Sequence, residues 1–221
     1  MKKILLKTGL SVIVLASASL LAGCAATEVA LEHHHLDVQT RMSKTIFLAP
    51  VPDSEHTIFV QIKNTSDKNL NMAEYTQDLD AALVSKGYQI TTYDKARYLL
   101  QANILQVGKM DMSAATSMLD SGFGGALAGA ALAGAGGANV RGMGTGAVVG
   151  GVVDIVANSL VKNVTYTEII DVQITENPHN GIPPSVYQTR MLSTANQVNL
   201  DYKDAEPKLE NQVTHSMAGI F

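Results

Sequence analysis

The sequence predicts the α+β fold class: one mixed α/β soluble domain, interrupted by a Gly/Ala-rich transmembrane helical hairpin that forms an oligomeric helical barrel. Three observations predict it. Apolar residues alternate along several segments on both sides of residues 118–161, as in half-buried strands. Two other segments space their apolar residues three and four apart, as in helices. Residues 118–161 hold most of the 18 glycines of this 221-residue chain and little charge.

The N-terminus is predicted to be a lipoprotein signal peptide, residues 1–23. A lysine-rich start precedes a short apolar run at residues 10–21, and "LAGC" at residues 21–24 resembles a bacterial lipobox. In that motif the chain is cut before the cysteine, which is then acylated. Cys24 would carry an S-diacylglycerol and an N-palmitoyl group; the alternative is a buried cysteine in an uncleaved anchor. Cys24 is the only cysteine, so no disulfide can form within one chain.

The acylated cysteine also predicts where the protein resides. Three acyl chains would anchor it firmly, because each buried methylene contributes about 0.8 kcal/mol. Residues 24–35 then form a lipidated stalk. Ala25, rather than an aspartate, follows the cysteine, which resembles the outer-membrane pattern. We therefore expect the protein to be anchored in the outer membrane of a Gram-negative bacterium.

The charge balance argues against nucleic acid as a partner. Removing residues 1–23 takes away three of the 16 basic residues and none of the 20 acidic ones, so the mature chain is clearly acidic. Phosphate binding depends on clustered lysine and arginine, and the mature chain has no basic run.

Residues 36–117 and 162–221 are predicted to form the single soluble domain. "TIFVQIKN", "YQITT" and "RYLLQANILQVGKM" read as strands. A helix is expected between the first two, with an apolar stripe that ends before Gly87. The stripe consists of Met72, Tyr75, Leu79 and Leu83.

The second part of the domain should contribute two more strands and a terminal helix. "VTYTEIIDVQITE" alternates, although Glu168 interrupts the pattern and suggests a sheet edge. "VYQTRMLSTANQVNL" reads as the last strand. Asp204 is expected to cap the final helix. Its apolar stripe is Leu209, Val213, Met217 and Ile220.

The glycine-rich stretch has three possible interpretations. "GMGTGA" fits a dinucleotide loop only loosely, because no strand precedes it. A flexible linker would carry more polar residues. Two uncharged runs, 122–139 and 142–153, instead match helices of a hairpin crossing a thin bilayer. Small residues every fourth position would let neighbouring helices pack closely. These predicted packing residues are Gly125, Gly129, Ala133, Gly137, Gly142, Gly146 and Gly150. A buried soluble packing segment is the main alternative.

No catalytic residue and no metal site is predicted, so we do not expect an enzyme or a cofactor other than the lipid. Consecutive histidines at 33–35 alternate direction on an extended arm and cannot converge on one ion. Asp154 is the one acid in the middle of the glycine-rich region, and we place it at a membrane interface rather than in a pore.

Several segments resemble the TraT family of outer-membrane lipoproteins. They include "TIFVQIKNTSDKNL", "KGYQITTYDKARYLLQANILQVGKMD" and "YQTRMLSTANQVNLDYKDAEPKLENQ". The resemblance implies a surface-associated homo-oligomer that acts in surface exclusion of conjugating donors, in complement resistance, or in both. Its expected partners are further copies of itself, the outer membrane, and a donor-cell mating component or complement components. The loop at residues 177–185 looks shorter than in plasmid-borne relatives, which weakens the case for specific donor recognition.

A second class of function stays open beside this resemblance: a helical-barrel conduit or a structural envelope protein. A conduit needs polar residues along one helix face. Asp154, Asn158 and Ser159 are the only polar residues that the glycine-rich region offers there, which disfavours a wide channel.

Overall fold

The computed structural model describes residues 35–125, 163–177 and 183–221. Its strands are β1 Asp37–Met42, β2 Thr57–Asn64, β3 Gln89–Ile90, β4 Tyr98–Lys109, β5 Asn163–Glu176 and β6 Ser185–Val198. Its helices are α1 Met72–Ser85, α2 Met112–Asp120 and α3 Tyr202–Ala218, with a short 3-10 turn at Asp53–Glu55.

The six strands form one mixed sheet in the order β1-β6-β5-β4-β2-β3. The pairs β1–β6, β6–β5 and β5–β4 are antiparallel. The β2 strand is parallel to both β4 and β3. This change of direction follows from the connection through α1, because parallel neighbours need a crossover rather than a hairpin.

Helices cover both faces of the sheet, and the larger core lies under α1 and α3. Leu79 and Leu83 of α1 and Val213 of α3 pack there against Ile170 and Met191. The α2 helix packs on the opposite face. There its residues Ala115, Met118 and Leu119 contact Ile169 and Leu192. Successive strand residues point to opposite faces, so β5 supplies Ile170 to one core and Ile169 to the other.

Local sequence signals explain the helices. Asn71 caps α1 by accepting a hydrogen bond from the Glu74 N–H at 3.4 Å, and Gly87 lies just beyond its end with φ 92°. The predicted apolar stripe of α1 is confirmed. That of α3 is confirmed for Leu209, Val213 and Met217, whereas Ile220 lies beyond the end of the helix. The prediction that Asp204 caps α3 is wrong: the cap position is Asp201, and Asp204 lies in the first turn.

The predicted fold class is wrong. The described residues form a mixed sheet with three α-helices, and none of these helices has the length and apolarity to cross a membrane. The hairpin was predicted over residues 118–161. Residues 118–125 belong instead to the sheet domain, because α2 ends at Asp120 and the next residues contact the sheet. Residues 126–161 lie outside the described residues. Small apolar residues indicate close packing, but they do not distinguish packing in lipid from packing on a sheet.

Several residues singled out in the sequence lie outside the described residues. They are Cys24, Gly129, Ala133, Gly137, Gly142, Gly146, Gly150, Asp154, Asn158 and Ser159.

The expectation that Glu168 marks a sheet edge is also wrong. The β5 strand lies between β6 and β4 and is covered on both faces, and Glu168 is 2% exposed. A polar residue in a central strand must find a partner inside the protein.

Candidate functional site

A buried ion pair joins the neighbouring strands β5 and β6 on the face of the sheet that α2 covers. Asp171 of β5 lies directly opposite Arg190 of β6. Arg190 Nε donates to Asp171 Oδ1 at 2.6 Å, and Nη2 donates to Oδ2 at 3.0 Å. Arg190 is 1% exposed and Asp171 8%. The two parallel bonds give the pair the planar, bidentate geometry that favours arginine over lysine.

The other guanidinium hydrogens bind the end of α2 and the residues that follow it. Nη1 donates to the Met118 carbonyl at 3.0 Å and to Ser121 Oγ at 2.7 Å. Nη2 donates to the Gly125 carbonyl at 3.1 Å. All five guanidinium N–H groups therefore have an acceptor, which is what a fully buried arginine requires.

Asp171 completes the arrangement from the other side. Its Oδ2 accepts a hydrogen bond from the Gly124 N–H at 2.9 Å. Gly122 and Gly124 adopt φ values of 70° and 69°, a left-handed backbone that glycine tolerates best. We call Arg190, Asp171, Ser121, Gly124 and Gly125 the arginine clamp. The clamp fixes the first residues of the glycine-rich segment on the sheet. Gly125, which was predicted to pack between membrane helices, lies in this clamp.

A cluster of acids lies on the opposite face of β5. Tyr75 of α1 donates from Oη to Glu168 Oε1 at 3.0 Å. Glu206 and Glu210 of α3 line the same small cavity. Burial raises the pKa of Glu168 to about 7, an effect that the Tyr75 hydrogen bond opposes and the Glu210 charge reinforces. Burial also raises the pKa of Glu210 to about 7, with added repulsion from Asp78, Glu74 and Glu206.

The polar groups of these two sites bond to other groups of the protein itself. The clamp uses every donor of Arg190 internally, and Tyr75 occupies one oxygen of Glu168. Across the described ranges, no three His, Cys, Asp or Glu side chains are grouped so that they could hold a metal ion. Of the histidines, His56 stacks on Tyr88 with ring centroids 4.7 Å apart, and His215 Nδ1 lies 2.8 Å from the Asn211 carbonyl.

The sequence analysis did not identify the arginine clamp. Asp171 and Arg190 are 19 residues apart, and only the β5–β6 register brings them together. The one signal in the sequence was a charged residue within each of two long apolar strands, Asp171 in β5 and Arg190 in β6. Charged residues at such buried positions are rare unless they are paired.

We predict that breaking the clamp on one side destabilises the protein strongly. Asp171→Asn leaves the Arg190 charge buried without a counterion, which should lower the free energy of unfolding by about 3–5 kcal/mol in urea titrations. Combining Asp171→Leu with Arg190→Met should cost much less than either single change, because no unpaired charge remains.

The control for this comparison is Asp67→Asn, which removes the exposed partner of Lys68, 4.0 Å away. It should change stability by less than about 1 kcal/mol. Equal losses in Asp171→Asn and Asp67→Asn would contradict the structural importance of the clamp.

We also predict that the acid cluster makes stability fall as the pH rises. The pKa of Glu168 is raised from 4.5 to about 7 in the folded chain. As the pH rises, Glu168 therefore loses its proton in the unfolded chain before it does so in the folded chain. Its contribution to the stability of the folded state is complete below pH 4.5 and is lost as the pH rises towards 7. Glu168→Gln should weaken the pH dependence of the urea midpoint between pH 4.5 and 7. The pH dependence that remains is due to Glu210.

The control is Asp53→Asn, which changes an exposed residue of the 3-10 turn. It should keep the wild-type slope of the urea midpoint against pH. Parallel pH profiles for the wild type and Glu168→Gln would rule out this role for Glu168.

Comparison with known proteins identifies the family. The model of the enterobacterial TraT complement resistance protein matches residues 35–186 and 182–221. A TraT complement resistance protein of Escherichia coli is 38% identical over 96% of this chain and 98% of its own length. One from Wigglesworthia glossinidia brevipalpis is 28% identical over 95% of each chain.

Solved structures show weaker likeness. A PelC dodecamer from Paraburkholderia phytofirmans covers 82% of this chain and 98% of its own, with 10% identity and a TM-score of 0.37. A neuraminyllactose-binding hemagglutinin homologue from Helicobacter pylori covers 80% of this chain and 91% of its own, with 11% identity and a TM-score of 0.35. Such TM-scores support no conclusion about this chain. The sequence matches, in contrast, extend over nearly all of it, and the chain belongs to the TraT complement resistance protein family.

Proposed function

We propose that this protein is a lipid-anchored outer-membrane protein that confers complement resistance without catalysing a reaction. The observation that carries the proposal is 38% identity to a TraT complement resistance protein of Escherichia coli over 96% of this chain. A likeness that runs through both parts of the sheet domain favours a shared role for the whole protein rather than for one motif.

The anchor in this proposal is Cys24. The "LAGC" motif supports acylation there, and residues 25–34 then connect the lipid to the folded domain, whose first strand begins at Asp37. A chain tethered in this way can cover the cell surface at high local concentration. Protection would then come from occupying the surface and binding partners, for which no reactive side chain is needed. The partners we propose are the outer membrane, further copies of the chain and complement components.

The buried ionisable groups support a non-enzymatic role. Arg190 and Asp171 neutralise each other within the sheet, and Tyr75 hydrogen-bonds to Glu168. A catalytic acid or base must reach a substrate. In the described part of the chain, the charged groups with the strongest burial are instead engaged with their own backbone and neighbouring side chains.

Surface exclusion is the second role that membership of the family suggests. It would depend on recognition of a donor cell. The family match continues in a second piece from residue 182, within the loop at 177–185 that looks short in the sequence. The alignment with the Escherichia coli relative spans 246 positions, more than the 221 residues of this chain, so it contains positions that this chain lacks. We therefore place complement resistance first.

The test is survival in serum. Serum-sensitive Escherichia coli that display the protein should survive in human serum better than cells with an empty vector, and heat-inactivated serum should abolish the difference. Cys24→Ser should lose both labelled palmitate and protection, because the chain is no longer held at the membrane. Mating frequencies measured in the same cells report on surface exclusion.

The Asp67→Asn variant is the matched control, since it should keep both lipid and protection. Normal display and acylation without any gain in serum survival would overturn the proposal.

A further inference from the structure

An open groove lies beside the first half of β6. The β1 strand covers β6 only from Met191 to Asn196, so residues 185–190 extend beyond it. The groove has a volume of about 410 Å³. We define the edge groove by Lys44, Phe47, Phe123, Val186 and Gln188, which line it.

The backbone of β6 is directed into this groove. The Ser43 N–H donates to the Arg190 carbonyl at 2.8 Å, and the Arg190 N–H donates to Ser43 Oγ at 2.9 Å. The peptide groups of Arg190 therefore point towards β1 and away from β5. Since this direction alternates along an antiparallel strand, those of Val186 and Gln188 point the same way. No strand among the described residues pairs with them on that side.

The chain that follows β1 leaves this edge open. Lys44 makes its backbone hydrogen bonds with Thr189 Oγ1, at 3.2 Å from its N–H and 2.8 Å from its carbonyl. Ile46 then enters the core under α1 and α3, at 8% exposure. This burial directs the chain across the end of the sheet. It cannot continue as a strand alongside Val186 and Gln188.

The side chains around the groove are unusually apolar for an exposed position. Phe47 is 82% exposed, Val186 55% and Phe123 37%. Among the described residues that line the groove, Lys44 is the only charged one. Unpaired strand edges flanked by apolar side chains are the surfaces to which extended peptides add as an extra strand.

We propose that the edge groove binds an extended segment of a partner protein, which pairs with the backbone of Val186 and Gln188. Alternate apolar side chains of that segment contact Phe47, Phe123 and Val186, and an acidic side chain faces Lys44. The occupant is a polypeptide because only another backbone offers donors and acceptors at the two-residue spacing of this edge. This binding site is separate from the lipid anchor and does not depend on complement resistance.

The experiment uses the full acylated chain in detergent and a fluorescein-labelled peptide of alternating valine and threonine that ends in aspartate. Fluorescence anisotropy should show saturable binding. A peptide of the same sequence with N-methylated amides should bind about tenfold more weakly or worse, since main-chain hydrogen bonds supply most of the affinity of an added strand.

Two substitutions test the site from the protein side. Val186→Pro removes the N–H that points into the groove but none of the bonds to β5, and proline is tolerated at such an edge position. It should reduce binding about as much as N-methylation does, whereas Val186→Thr, which keeps the N–H, should not. Lys44→Glu leaves the strand intact and should reverse the preference between peptides ending in aspartate and in lysine.

Equal binding of the normal and N-methylated peptides would overturn the proposal, as would the absence of saturable binding to the wild type. Self-association that Val186→Pro abolishes would also overturn it, by assigning the edge to a second copy of the chain.

Discussion

The arginine clamp is the constraint on which the α2 face of the sheet depends. One side chain, Arg190, neutralises Asp171. It also donates hydrogen bonds to two backbone carbonyls and one hydroxyl in a different part of the chain. A charge buried to this degree is tolerated only when all of its donors are satisfied. The register of β5 and β6 and the path of residues 118–125 are therefore coupled. A change in either one would leave a buried charged group without its partner.

This coupling explains why glycines begin where α2 ends. Gly122 and Gly124 take positive φ values that bring the Gly124 N–H to Asp171 and the Gly125 carbonyl to Arg190. Side chains would strain that backbone. On the other face, the carboxyl group of Glu168 is also buried, but it has no basic partner among the described contacts. Its carboxyl group keeps a hydrogen bond from Tyr75, and burial raises its pKa to about 7.

The local elements were predictable from the sequence, and the long-range arrangement was not. The α1 and α3 helices follow from their apolar stripes, and β2, β4, β5 and β6 follow from alternation. The β1 strand was missed because most of its residues are exposed, and α2 because it is short and adjoins the glycine-rich stretch. The clamp could not be found, because strand register decides which of the charged residues in two central strands meet. The glycine-rich sequence suggested a lipid environment, but its first residues pack on protein.

The most direct test of the clamp measures hydrogen exchange of the backbone amides at residues 112–125. Ser121→Ala removes one acceptor of Arg190 without touching the ion pair, and Ser117→Ala, exposed on the same helix, is the control. If the clamp holds this segment on the sheet, Ser121→Ala should speed its exchange about tenfold while α1 stays protected. Ser117→Ala should have no such effect. Unchanged protection of residues 112–125 in Ser121→Ala would contradict the account.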